Sequence, residues 1–120
     1  MLSTSRLLTT IERKFSRLFM TTKLARNPHP GTILHEEIIA PLKLSYYRLA
    51  QVTDIPASRL YEIRDGKRGI SADTALRLAR ALGTTPDFWI NLQTHYDLVE
   101  ARRTNLKAYD RIQPLLPVPA

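Results

Sequence analysis

The segment RDGKRGIS, residues 64–71, holds four charged residues, two glycines and a serine within eight positions. Arg64, Lys67 and Arg68 supply three positive charges on a tight bend, and Asp65 supplies the one negative charge. A turn that merely joins two helices can use any polar residues, so this cluster indicates that an anion lies against it. Lysine and arginine are the side chains that neutralise nucleic-acid phosphates. A solvated basic bend is the alternative interpretation.

Other chemistries find little support in the sequence. The stretch HEEII at 35–39 resembles a zinc-protease helix, but Ile39 stands where that motif requires a second histidine. His29, His35 and His95 are far apart in sequence and have no cysteine companions, so we expect them in surface or capping roles. There is no glycine-rich phosphate loop, nucleophile elbow or pair of catalytic carboxylates. We therefore predict no catalytic residues, no metal site and no cofactor, and we do not expect an enzyme.

Length and charge bound the possibilities further. The chain has 120 residues, which is most simply one domain, and no cysteine, which excludes disulfides. Its net charge is +7, but residues 1–19 contribute Arg6, Arg13, Lys14 and Arg17 against Glu12. Net charge alone is thus weak evidence for nucleic-acid binding. No apolar run approaches the length of about 20 residues that a membrane span needs, so we expect a soluble, cytoplasmic protein without membrane contact.

Hydrophobic spacing and capping residues predict five helices and no strand, an all-α fold. The predicted segments are about 32–40, a second capped by Ser45, 57–65 before Gly66, a fourth from Ser71 to Gly83, and a fifth starting at Thr85 and Pro86. Residues 1–26 form a basic N-terminal extension that we expect to be flexible. The domain itself spans 27–103, and a tail of 104–120, with its proline-rich end extended, completes the chain.

The basic extension has several interpretations. An upstream initiation codon or a loosely attached segment is favoured, since Met20 begins a stretch that reads as a natural start. An organelle transit peptide is disfavoured. A partner-binding arm and a DNA-contacting arm remain as alternatives.

The stretch LAQVTDIPASRLYEI has the form of a helix-turn-helix, with Asp54 at a turn position that favours a left-handed backbone. Leu60 and Ile63 define the buried side of its second helix, so the opposite side is polar and can enter a DNA major groove. The predicted base-facing residues are Ser58, Arg59, Tyr61 and Glu62. The predicted phosphate contacts are Tyr47, Arg48, Arg64, Lys67 and Arg68. The acid at 62 fits this surface if it accepts from cytosine or orients Arg59.

An apolar stripe on the fifth helix predicts a dimer interface, because it exceeds what so small a bundle needs. Its members are Trp89, Leu92, Tyr96 and Val99. Stacking of the tryptophan on bases is disfavoured, since aromatics at helical spacing are usually core or interface. A twofold homodimer would present two recognition helices to successive major grooves about 34 Å apart, so we expect an operator with an inverted repeat.

Residues 23–103 resemble the HigA family of addiction-module antitoxins, a branch of the Xre/Cro repressor-like proteins. The most specific part is GKRGISADTALRLARALGTTPDFWINLQ, and HPG before the first helix and RLYEI in the third also fit. The resemblance implies a five-helix lambda-repressor-like domain, usually dimeric, that represses its own operon and neutralises a HigB-like toxin, a RelE-like mRNA-cleaving RNase. It implies DNA contacts for Arg59, Lys67 and Arg68. Asp54 replaces the glycine usual at the inter-helix turn, which bears on local stability and not on the fold.

Three other functions remain open at this point. The chain could be a stand-alone Xre-type regulator without a toxin, or a toxin-sequestering protein with little DNA binding. It could also bind RNA or a membrane surface through its basic leader.

Overall fold

Five helices build the part of the chain that the structure, a computed structural model, describes, namely Glu12 and residues 27–117. They are α1 (Pro30–Ile33), which continues as a π-helical segment (Leu34–Ile39), α2 (Tyr46–Thr53), α3 (Ala57–Arg64), α4 (Ala72–Leu82) and α5 (Pro86–Asp110). No strand occurs among these residues, and the all-α prediction is confirmed. None of the described helices combines the length and apolar character that crossing a membrane requires.

The helix ends follow the predicted capping chemistry. The side chains of Ser45, Ser71 and Thr85 each accept a hydrogen bond from the backbone N–H three residues on, at 3.0–3.2 Å. These bonds satisfy N–H groups that have no partner inside the helix. Asp54 and Gly83 close α2 and α4 with φ values of 60° and 71°. The left-handed turn at Asp54 is therefore confirmed, although the residue is not glycine.

The first helix starts earlier than the sequence predicts. Pro30 occupies its first position, where a missing N–H costs nothing, so the helix begins two residues before Thr32. His29 caps it, since its Nδ1 accepts from the N–H of Gly31 at 2.9 Å. The capping role expected for a histidine is thus confirmed at this position. The π-helical segment then ends before Pro41.

One apolar core joins all five helices. Its fully buried side chains include Leu34 and Ile38 from the first helical segment, Leu60 and Ile63 from α3, Leu78 from α4 and Trp89 from α5. The helix α3 packs on α1 and α2, while α4 packs on α2 and α5. The buried side of α3 is therefore fixed by two neighbouring helices, which leaves its opposite side on the surface.

The last helix extends beyond the predicted end of the domain. It continues through residue 103, the expected end of the domain, to Asp110, so residues 104–110 are helical and not tail. The sequence from 104 to 110 contains no proline or glycine, and Pro114 is the first breaker. Asn105 interrupts the helix with non-helical angles, φ −130° and ψ 26°. Residues 102–110 are all exposed, so this outer part of α5 lies beyond the core.

Glu12 connects the N-terminal extension to the domain. Its side chain is only 4% exposed, and its carboxylate accepts from the N–H of Thr85 at 3.0 Å and from the Thr85 hydroxyl at 3.2 Å. Loose attachment of the extension is not what the structure shows at this residue. The rest of the predicted flexible segment, up to residue 26, lies outside the described residues.

Candidate nucleic-acid interface

The recognition helix α3 presents its polar side to solvent. Leu60 and Ile63 are fully buried, which turns the side that carries Ser58 and Tyr61 outward. The turn before it is anchored by Ile55, whose side chain is buried and whose N–H donates to Thr53 Oγ1 at 3.3 Å. The geometry that the helix-turn-helix pattern requires is thus present.

The predicted contact residues fall into two groups in the structure. Most lie on α3 or on the turn after it: Ser58, Arg59, Tyr61, Glu62, Arg64, Lys67 and Arg68. Tyr47 joins them, since it borders a surface depression with Asp54 and Ala57 at the start of α3. Arg48 lines a shallow groove between α2 and the end of α4, with Leu44 and Leu82. The structure therefore does not bring Arg48 to the α3 surface.

Arg64 is held by its own chain. Its guanidinium lies 4.7 Å from the ring centre of Tyr61 and 5.7 Å from that of Tyr46. Its Nε and Nη2 donate to the two carboxylate oxygens of Asp65 at 2.9 and 3.3 Å. This hydrogen bonding raises the pKa of Arg64 and lowers the pKa of Asp65. Tyr46 Oη forms a hydrogen bond with His35 Nδ1 at 2.8 Å, so the tyrosine rings that Arg64 contacts are connected to the first helical segment.

Glu62 and Arg68 form a second ion pair on this surface. Arg68 Nε donates to Glu62 Oε1 at 3.1 Å, and both side chains are about half exposed. Of the two roles considered for Glu62, orienting Arg59 is not seen in the free protein, since its carboxylate holds Arg68 instead; accepting from cytosine stays a prediction. Arg59 and Lys67 have no ion pair within the part of the chain that the structure describes.

Two residues that position this surface were not found from the sequence. A Cβ on Gly31 would overlap the backbone carbonyl of Ile63, so glycine is what lets α1 and α3 approach. Gln93 on α5 accepts from the N–H of Ile70 at 2.7 Å and donates to Asp97 at 2.9 Å, which ties the basic turn to the last helix. The HPG motif at residues 29–31 was a sequence signal for the glycine. No local signal marks the glutamine.

The predicted dimer stripe is largely part of the core. Trp89 is 0% exposed and donates from Nε1 to Thr84 Oγ1 at 2.7 Å, and Leu92 is 8% exposed. Trp89 has no surface to offer a second copy and Leu92 has little, so the assignment of these two residues to a dimer interface is wrong. The predicted burial of the tryptophan is confirmed. Tyr96 and Val99 are partly exposed.

The arrangement can bind an extended anion. Arg59, Lys67 and Arg68 supply cationic donors along one surface, and Ser58 and Tyr61 supply neutral hydrogen-bonding groups beside them. Such a mixture suits phosphates at the edges and base edges at the centre. Among the described residues, no three histidine or acidic side chains are grouped to hold a metal ion.

Comparisons with known proteins agree with this geometry. The helix-turn-helix family profile matches residues 36–89, which include every predicted DNA contact. Virulence-associated protein I of Dichelobacter nodosus is 48% identical over 75 residues, 62% of this chain and 69% of that relative.

Two solved structures are also similar. One, the Pseudomonas aeruginosa antitoxin HigA with the higBA promoter, is 40% identical with a TM-score of 0.70 over 75% of this chain and 99% of that one. The other, an addiction module antidote protein of the HigA family from Coxiella burnetii, is 45% identical with a TM-score of 0.68 over 73% and 97%. The chain therefore belongs to the HigA family of helix-turn-helix proteins.

Proposed function

We propose that this protein is the antitoxin of a type II toxin–antitoxin module, which binds operator DNA through α3, represses its own operon and neutralises a RelE-like mRNA-cleaving toxin. The observation that carries the DNA-binding part is the outward polar side of α3, with Arg59, Lys67 and Arg68 on or beside it. The HigA relative from Pseudomonas aeruginosa, solved with promoter DNA, supports the same part. The function is binding, not catalysis.

The side chains divide the recognition of DNA between them. Arg59 lies on α3 and reads a base edge, with Ser58 and Tyr61 beside it. Lys67 and Arg68 follow the helix and meet the phosphates that border the groove. The N-terminal amides of α4, which Ser71 caps, add further phosphate contacts.

A homodimer places two copies of α3 on the DNA. The surface that fits a second copy is the outer part of α5, because it carries exposed apolar side chains with no covering in the described part of the chain. They are Leu106, Tyr109 and, just after the helix, Ile112. Leu106 and Tyr109 are three residues apart in this part of the helix, so they share one side. The operator is accordingly an inverted repeat.

The toxin partner is supported by the relatives alone, two of which are called an antitoxin and an antidote protein. A HigB-like toxin is therefore the partner we propose, and it places the protein in the bacterial cytoplasm. A stand-alone regulator is the second candidate, since the helix-turn-helix match accounts for DNA binding without a toxin. Purification of the full chain with the product of its neighbouring gene separates the two.

DNA binding is tested by two substitutions with different expected signatures. Arg59→Ala weakens operator binding by about 1–3 kcal/mol and relaxes the sequence preference, since a base reader is lost. Lys67→Ala weakens binding to all duplexes evenly and lowers the salt slope by about one. Titrations of labelled promoter fragments at several salt concentrations measure both. Arg80→Ala, which removes an exposed charge from α4, is the control. Unchanged affinity in both test variants would show that α3 does not bind DNA.

A further inference from the structure

The cations at the α3 surface are not equally available. Arg59 and Lys67 are without an ion pair among the described residues, whereas Arg64 and Arg68 are each held by an acid. The two ion pairs differ in strength. Arg64 makes two hydrogen bonds to Asp65 and stacks on Tyr61, which fixes it. Arg68 makes one bond of 3.1 Å to Glu62, in a pair whose side chains are about half exposed.

The exposed pair is the one that DNA can open. A single ion pair in water contributes little to stability, so a phosphate can replace Glu62 as the partner of Arg68. The carboxylate of Glu62 is then released on the outward side of α3, next to the groove. There it either finds a hydrogen-bond donor or remains a negative charge close to the phosphates, where like charges repel.

We propose that Glu62 determines specificity: it holds Arg68 in the free protein, and it releases Arg68 to a phosphate without loss of affinity only where a cytosine amino group donates a hydrogen bond to the freed carboxylate. The inference rests on the proposed DNA-binding function and goes beyond it, since it assigns to an acid the rejection of non-operator DNA. Cytosine N4 is the base-edge donor that suits a glutamate. At any other base the free carboxylate lowers affinity, which is discrimination by repulsion.

The experiment compares the full chain with Glu62→Gln on two duplexes. One duplex is the sequence that the unaltered chain selects from a random library, and the other is its scrambled version with the same composition. The variant binds the scrambled duplex about fivefold tighter, the effect expected for one close unit-charge repulsion in water. Its salt slope on that duplex is steeper by about one. Affinity for the selected duplex does not rise, so the ratio of the two affinities falls about fivefold or more.

A second selection, made with the variant, tests the base contact. Glutamine binds the edge of adenine, whereas glutamate binds the edge of cytosine. We therefore expect the sequence selected by the variant to carry adenine in place of one cytosine in each half-site. This change requires that residue 62 meets a base edge. A purely structural role of Glu62 would alter neither the selected sequence nor the affinity ratio.

Glu100→Gln is the matched control. Glu100 forms an ion pair of the same 3.1 Å length with Arg103 on α5, away from α3, and the substitution removes the same charge. Its affinity ratio stays that of the unaltered chain. Equal tightening on both duplexes by Glu62→Gln, or no change on either, would overturn the inference while leaving DNA binding intact. An unaltered chain that selects no sequence and binds neither duplex would overturn the proposed function and the inference with it.

Discussion

Gly31 lies where α1 meets α3, with no room for a Cβ because the backbone carbonyl of Ile63 occupies the space. Gly31→Ala must push the recognition helix away from α1, since a backbone atom cannot rotate aside as a side chain can. We expect a loss of about 3 kcal/mol in the free energy of unfolding, at the upper end for overpacking. Urea unfolding followed by circular dichroism measures it.

Gly83→Ala is the comparison for this prediction. Gly83 has open space around it but a φ of 71°, so alanine there meets backbone strain without a steric clash. The expected cost is about 1 kcal/mol. If both variants lost the same stability, the close approach at Gly31 would not be the limiting contact.

His29 makes stability depend on pH. Burial lowers the pKa of His29, against a smaller opposing effect of Asp97, and its ring packs edge-on against Tyr96. The folded state therefore prefers the neutral ring, whose Nδ1 accepts from Gly31. Since the unfolded chain takes up the proton more readily, this contribution is full above pH of about 6.5 and decreases as the pH falls below it.

The measurement is urea unfolding between pH 7.5 and 5. His29→Asn keeps an acceptor at a capping position but cannot titrate in this range, so its stability should fall less steeply with decreasing pH. Parallel curves for the two proteins would exclude His29 as the source of the dependence.

The start of α5 is the element that joins the extension to the domain. Glu12 accepts from the backbone N–H and the hydroxyl of Thr85, at the positive end of the helix dipole. Glu12→Gln keeps the shape but removes the charge, and we expect a loss of about 1 kcal/mol in the free energy of unfolding. Hydrogen exchange at the Thr85 amide should accelerate as well.

Asp87→Asn provides the control, because this acid lies in the first turn of the same helix but is exposed. Its expected effect is a few tenths of a kcal/mol, roughly the lower range for surface charges near a helix end. A Glu12 variant as stable as the unaltered chain would mean that the buried contact does not hold the extension.

Sequence patterns predicted the elements well where the physics is local. Caps at Ser45, Ser71 and Thr85 depend on neighbours three residues away, and so they could be read directly. Contacts between distant residues could not be read in this way. Gln93 reaches Ile70 and Glu12 reaches Thr85 across 23 and 73 positions, and no local pattern encodes either contact.

The error on α5 has a related cause. Helical spacing shows that Trp89 and Leu92 share one side, but it does not distinguish a side covered by the same chain from one covered by another. The structure shows the core there, and it leaves other apolar side chains of α5 exposed. The end of α5 was not predicted, because residues 104–110 mix good and poor helix formers and the first strong breaker after them is Pro114.

At the scale of the whole molecule, the outer part of α5 is predicted to hold two copies together. Leu106 is 53% exposed there. We expect this apolar surface to be buried against a second copy of the chain. Leu106→Asp should shift the protein from dimer to folded monomer in sedimentation velocity. Its circular dichroism spectrum should remain helical, since Leu106 is outside the core.

Two leucine variants make this test specific. Leu76→Asp changes a residue of similar exposure, 56%, on α4, and should leave the dimer intact. Leu92→Asp places a charge in the core and should unfold the chain instead of giving a folded monomer. A dimer that survives Leu106→Asp would remove the outer part of α5 from the interface.

The break at Asn105 separates the core-bound part of α5 from its outer end. In a dimer joined through that end, the backbone angle at this one residue sets the distance between the two recognition helices. Asn105→Ala favours a straight helix and would alter that span. The permitted number of base pairs between half-sites would then change, while the bases preferred within each half-site stayed the same. Half-site spacing and base preference would thus be determined by different residues of the chain.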